Sequence, residues 1–173
     1  WVFAYGSLIW RPGFEFRAQC HACLPGWRRD FSQGSPDHRG TPELPGRVVT
    51  LREDVNSQCE GIAYQIETNS AWQIGEYLDE RESGGYSRLY VELTLNSNAT
   101  GSNTKVQALT YIALPENPHA CESAPVDKLA ALIAERHGPA VAHLLPHTRL
   151  HLCHRPVPAQ QNEILLLSCD TSF

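Results

Sequence analysis

Midway along the chain, Asp79-Glu80-Arg81-Glu82-Ser83-Gly84-Gly85-Tyr86 sets carboxylates just ahead of a Gly-Gly break. An apolar periodicity precedes it, so Glu82 is expected at a helix C-terminus, where the macrodipole favours cations. That field, and any burial, raises a carboxyl pKa. A glutamate raised in this way suits acid/base work near neutral pH. A solvated Glu82 partnered by Arg81 fits the same residues equally well.

Two further segments carry the means to hold a ligand. Tyr5-Gly6-Ser7-Leu8-Ile9-Trp10 reads as a strand running into a Gly-Ser turn. Successive backbone N–H groups in such a turn form a nest for a carboxylate; a plain turn is the simpler reading. Gln33-Gly-Ser-Pro-Asp-His-Arg39-Gly, continuing to Pro45-Gly-Arg47, gathers hydrogen-bonding side chains and two arginines among glycines. This suits a polar anionic ligand, or equally a loop in which Asp37 ties to its own backbone.

Metal and thiol chemistry is less well supported. Of the six cysteines, only Cys20 and Cys23 lie close together. They fall on an expected strand, where residues three apart face opposite sides and cannot converge on one metal. Reduced, mostly buried thiols in a reducing compartment are the expectation. Five histidines crowd residues 137–154 (His137, His143, His147, His151 and His154) with no carboxylate or cysteine ligand set beside them before Cys153. We expect no metal.

The elements that must position these groups follow from pattern and punctuation. Trp1–Tyr5 reads as a strand, Phe14–Phe31 as an extended stretch with a Pro25-Gly26 turn, and Gln33–Gly46 as a long loop. Arg47–Glu53 and Glu60–Ile66 read as two strands parted by Asp54–Ser57. Ser70 and Gln73 form a capping-box pattern opening a helix, with Trp72, Ile74, Tyr77 and Leu78 apolar, that ends near Glu82. Tyr86–Leu95 and Lys105–Leu114 read as paired strands across a polar turn, and a second helix starts at Ser123-Ala-Pro and ends at Gly138-Pro139. Strands outnumber helices without regular β-α-β alternation. The expected class is therefore α+β, with an antiparallel or mixed sheet closed as a small barrel.

The 173 residues fit one domain, and 42% hydrophobic with 19% charged residues is an ordinary globular composition. A net charge of −5 without a basic stripe argues against nucleic-acid binding. The apolar runs are too short to cross a bilayer. The start at Trp1 carries no leader pattern, so a lost initiator methionine is the expected reason for it.

Taken together, Tyr5-Gly-Ser-Leu-Ile-Trp, Gln33-Gly-Ser-x-Asp-His-Arg-Gly-Thr-Pro-Glu-x-Pro-Gly-Arg-Val-Val-Thr-Leu51 and Tyr77-Leu-Asp-x-Arg-Glu-x-Gly-Gly-Tyr86 resemble the ChaC family of the γ-glutamylcyclotransferase superfamily. The resemblance implies a barrel-like core flanked by helices, with a cavity at the end of the first strand. It implies cytoplasmic cleavage of glutathione to 5-oxoproline and cysteinylglycine without a cofactor or an obligate protein partner. By the same resemblance Glu82 is the acid/base, and Gly6, Ser7 and Leu8 hold the γ-glutamyl group beside Tyr5. Tyr111 lines the cavity, and Arg39 and Arg47 occupy motif positions. The resemblance runs to about Pro139, and residues 140–173 depart from the family pattern. A broader γ-glutamyl substrate range, or an inactive small-molecule- or partner-binding homologue, are the alternative expectations.

Overall fold

The computed structural model describes residues 1–96, 103–136 and 138. Five strands, β1 (Val2–Ala4), β2 (Ala18–Ser35), β3 (Gly46–Gln65), β4 (Tyr86–Asn96) and β5 (Asn103–Ala113), close into a barrel in the order β1-β3-β2-β4-β5. Every pairing is antiparallel except β1 with β5, which meet at Val2 and Leu109. The sheet is thus mixed and closed, as expected. Two helices, α1 (Ala71–Arg81) and α2 (Val126–Glu135), complete the described elements, with single 3-10 turns at Ser7–Ile9 and Thr68–Ser70.

β1 is apolar on both faces, so it packs against the barrel interior and a helix at once. In β1, Phe3 points into the barrel with Leu24, Leu51 and Leu93, and Tyr5 follows it just past the strand end. Val2 and Ala4 face outward instead, onto Ile74 and Leu78 of α1. Ile74 and Leu78 lie four apart, one helical turn, so both meet the barrel. Burying each stabilises the packing by roughly 1.5–3 kcal/mol. Trp72 and Tyr77, expected on the same apolar face, are exposed, because a hundred degrees per residue carries them off the contact stripe.

Four local expectations are corrected. Pro25-Gly26 is no turn: β2 runs through it, with a register shift between Pro25 and Trp27. Asp54–Ser57 do not end a strand, because they bulge out opposite Gly26 while the β2–β3 ladder continues on both sides. Asp54 satisfies that bulge locally, accepting from the Asn56 N–H at 3.2 Å and the Ser57 hydroxyl at 2.7 Å. The Ser70 capping box does not form; a 3-10 turn already leads into α1, and Ser70 Oγ faces Asn69 instead. Gln33–Ser35, expected in the long loop, extend β2, which shortens the connection to residues 36–45.

Cys20 packs toward the barrel interior on the same parity as Ala22 and Leu24, so Cys23 takes the opposite face. The two thiols do not converge. Cys153, Cys169 and the five histidines of the tail lie outside the described residues.

Candidate active site

The chain leaves β1 at Ala4, and two anchors fix the residues just past it. The Tyr5 side chain dives into the barrel end, where its hydroxyl donates to the Tyr111 carbonyl at 2.6 Å. Arg29 of β2 donates through Nε to the Tyr5 carbonyl at 2.8 Å. The Ser7–Ile9 turn then begins, and its first internal bond is from the Ile9 N–H to the Gly6 carbonyl at 3.0 Å. The N–H groups of Gly6, Ser7 and Leu8 therefore have no acceptor within the turn. Tyr64, 1% exposed, closes the far side by donating its hydroxyl toward the Leu8 and Ile9 carbonyls at 3.0 and 2.9 Å. Tyr64→Phe should lower stability by about 1–2 kcal/mol, a Tm drop of roughly 3–6 °C readable by calorimetry. An unchanged Tm would mean that the two contacts carry no load.

Glu82 arrives from the other direction. It caps the C-terminal end of α1, its N–H donating to the Leu78 carbonyl at 2.8 Å. Its side chain is only 19% exposed. Burial raises its pKa above the ordinary glutamate range, and the Arg81 guanidinium, 3.6 Å away, opposes part of that rise. Arg81 also joins the two halves of the site. It donates to Ser7 Oγ at 3.3 Å and to the Arg11 carbonyl at 2.7 Å.

The Glu82 charge reaches two phenols. Burial raises the pKa of both Tyr5 and Tyr86, and the Glu82 carboxylate raises each further. Tyr86 donates its hydroxyl to the Val49 carbonyl at 2.6 Å. A Cβ added to Gly6 would stand 3.1 Å from Val49 Cγ1, so the Gly6 turn and the Tyr86 hydroxyl both reach Val49. The turn from Glu82 to Tyr86 is pinned from outside by Gln33, whose Nε2 donates to the Gly84 carbonyl at 3.2 Å, and by Asn117, whose amide donates to the Gly85 carbonyl. Gly85 itself sits at φ 98°, a conformation that favours glycine.

Tyr5, the Gly6–Leu8 turn and Glu82 thus come together at one barrel end. The other expected residues lie elsewhere. The Tyr111 hydroxyl turns outward to α1, donating to Asp79 Oδ1 at 2.7 Å, and only its backbone carbonyl reaches Tyr5. Asp79 also binds Arg88 Nε at 2.6 Å, and the Arg88 and Tyr111 bonds hold its pKa below the usual range. Arg47 spends its guanidinium on the Phe31 and Glu122 carbonyls at 3.4 and 3.2 Å, stapling β2 to the segment before α2. Arg39 is exposed, and its backbone N–H is held by Ser35 Oγ at 3.1 Å.

Sequence reasoning does not single out Tyr86, Val49 or Arg29. Tyr86 stands in the motif that carries Glu82, which is a signal of a kind. Arg29 has no local signature, because its role depends on the β2–β3 pairing that brings it beneath Tyr5.

Comparison with known proteins places the chain in a family. The sequence model for the family described as ChaC-like protein matches residues 1–161. γ-Glutamylcyclotransferase 2-3 of Arabidopsis thaliana is 38% identical over 144 residues, covering 81% of this chain and 72% of that protein. Glutathione-specific γ-glutamylcyclotransferase 1 of Homo sapiens is 36% identical over 140 residues, covering 80% of this chain and 62% of that protein. The corresponding glutathione-specific protein of Schizosaccharomyces pombe is 30% identical over 179 residues, 95% of this chain and 87% of its own. A crystal structure of a yeast γ-glutamylcyclotransferase specific to glutathione superposes with TM-score 0.72 at 28% identity, over 81% of this chain and 80% of that one. The chain belongs to the ChaC-like family.

Proposed function

We propose that this protein is a glutathione-specific γ-glutamylcyclotransferase, with Glu82 as base and then acid. The observation that carries the reading is a buried, pKa-raised carboxylate tied through Arg81 to a turn whose first three N–H groups have no acceptor within it. Relatives at 36–38% identity that bear γ-glutamylcyclotransferase names support it, among them the human glutathione-specific protein.

The reaction needs no redox partner and no water. The α-amine of the γ-glutamyl group attacks its own γ-carbonyl carbon, forming a C–N bond. The bond to the cysteinyl nitrogen breaks, leaving 5-oxoproline and cysteinylglycine. The proton taken from the α-ammonium is the one delivered to the departing amine, so a single carboxylate serves both steps. An α-ammonium titrates at about 7.7–8.0 and an ordinary glutamate at about 4.3, and raising Glu82 narrows that gap. The N–H groups of Gly6, Ser7 and Leu8 hold the substrate's carboxylate, and Tyr5 walls the pocket. Attack within one molecule draws on effective molarities of about 10⁵–10⁸ M, so the protein's main task is to hold the γ-glutamyl arm folded. Arg39 lies exposed and Tyr111 and Arg47 face other partners; in this mechanism they act on architecture, not on the reacting atoms. The whole chain acts as one catalytic domain in the cytoplasm, where its substrate is abundant and its thiols stay reduced.

Purified protein mixed with glutathione should release 5-oxoproline and cysteinylglycine in equal amounts by mass spectrometry. Absence of both products would end the proposal.

The pH profile gives a second test. The acid limb of kcat/KM should lie above the ordinary glutamate range, because burial disfavours the Glu82 anion. Arg81 stabilises that anion, so Arg81→Gln removes a favourable charge and the limb must move to higher pH. Turnover should also fall about tenfold as the Ser7 contact is lost. A limb that stays put or moves down would exclude Glu82 as the titrating group.

A further inference from the structure

Among the described residues, one buried side-chain polar atom has no hydrogen-bond partner: Gln33 Oε1. Gln33 is 0% exposed, near the end of β2, where it pairs with Val48 and bridges to Ala120. Its orientation is fixed by chemistry. The Gly84 carbonyl accepts only, so the amide nitrogen must face it and the oxygen must face away. A buried acceptor left unpaired is destabilising, and native structures rarely keep one without a use. Neither flanking backbone contact relieves it. Cys121 N–H is taken by the Ser32 carbonyl at 2.8 Å, and Gly34 N–H by the His119 carbonyl at 2.7 Å.

The position of this amide is informative. Gly84 lies two residues beyond Glu82, inside the turn that orients it. Val48, opposite Gln33, precedes Val49, which the Gly6 turn and the Tyr86 hydroxyl both reach. We propose that Gln33 is a positioning residue that holds the Glu82 turn through Gly84 and offers Oε1 to an N–H of the bound γ-glutamyl peptide. The inference rests on the function proposed above, whose substrate carries an ammonium and two amide N–H groups. Its consequence is that ligand binding and alignment of Glu82 are coupled through one side chain.

Two variants of the full chain separate the two ends of the amide. Gln33→Leu removes donor and acceptor while keeping the volume. It should raise KM and lower kcat for glutathione, each about tenfold, the range for a lost buried hydrogen bond. Its Tm should stay within a few degrees of wild type, because deleting the unpaired oxygen offsets the loss at Gly84. Gln33→Glu keeps an acceptor and loses the donor to Gly84 once it is ionised, so at pH above that ionisation kcat should fall about tenfold while KM stays within threefold. Should the leucine variant fail to fold, the glutamate variant decides through its Tm: kcat lost at a wild-type Tm supports the positioning role, and kcat lost in step with Tm overturns it.

Wild-type kcat and KM in either variant, with an active wild-type control, overturn this inference alone. Loss of kcat in step with Tm, at unchanged KM in both, would make Gln33 a structural residue only and overturns it too. A wild-type protein inactive on glutathione overturns the functional reading and the inference with it.

Discussion

Replacing Glu82 by glutamine should lower release of 5-oxoproline from glutathione at least a hundredfold, while the protein stays folded and still binds the tripeptide. The substitution keeps shape and hydrogen-bonding capacity but cannot carry a proton between the ammonium and the leaving amine. General acid–base catalysis contributes about 10²–10⁴-fold, and Glu82 is proposed to act twice in one cycle. A hundredfold loss corresponds to about 2.7 kcal/mol of transition-state stabilisation. Stability should move the other way. Burial raises the folded-state pKa of Glu82, so the folded protein binds this proton more tightly than the unfolded chain does. Its contribution is fully present below the unfolded value of about 4.3 and is lost as pH rises through the raised one. The glutamine variant escapes that loss, so its Tm should match wild type in acid and exceed it at pH 8. Turnover above a hundredth of wild type would remove Glu82 from the chemistry.

The two opposed behaviours expected of Glu82 have one cause, and part of that cause is readable in the sequence. A helix ending against Gly84-Gly85 places the carboxylate at a C-terminal cap, and α1 does end at Arg81 with Glu82 as its cap. The barrel is legible too, from the strand count and the absence of β-α-β alternation. The length of its strands is not. Pro25-Gly26 and Asp54–Ser57 carry turn chemistry that local rules read as strand breaks, whereas the β2–β3 ladder absorbs both in one shared bulge. Tertiary pairing overrides the local signal there. The same limit applies to the site. Local chemistry leaves the Gly-Ser turn and Glu82 level with plainer readings and the family resemblance singles them out, but only the closed sheet reveals that Arg29 sits under Tyr5 and that Tyr111 turns its hydroxyl toward Asp79. Arg47 illustrates the converse: a cation in a ligand-like motif whose hydrogen bonds go to backbone carbonyls 16 and 75 residues away in sequence.

Gly61→Ala, which touches none of these polar groups, should be the most disruptive small substitution near the site. Gly61 lies in β3 opposite Ala22, and the end of β1 crosses close above it. A Cβ there would overlap the Ala4 carbonyl oxygen and stand 2.7 and 2.8 Å from two ring carbons of Phe3. Phe3 is 1% exposed and packed within the barrel, and Ala4 is held to Ile62 by the β1–β3 ladder, so neither can retreat cheaply. Forcing one methyl into such a core costs about 1–3 kcal/mol, and backbone contact places this case at the upper end. For a chain of this size that is a Tm drop of roughly 6–12 °C. The consequence for activity should exceed the consequence for stability. Ala4 is the last residue of β1, and Tyr5 and the Gly6–Leu8 turn continue directly from it. Displacing Ala4 by a few tenths of an ångström swings the three N–H groups relative to Glu82, whose backbone is fixed separately as the cap of α1. Activity should therefore drop at least tenfold even at temperatures where circular dichroism reports a folded protein, since misplacement by about 1 Å costs about a hundredfold. A variant that melts early yet turns over at the wild-type rate when folded would sever the link between the β1 terminus and the chemistry.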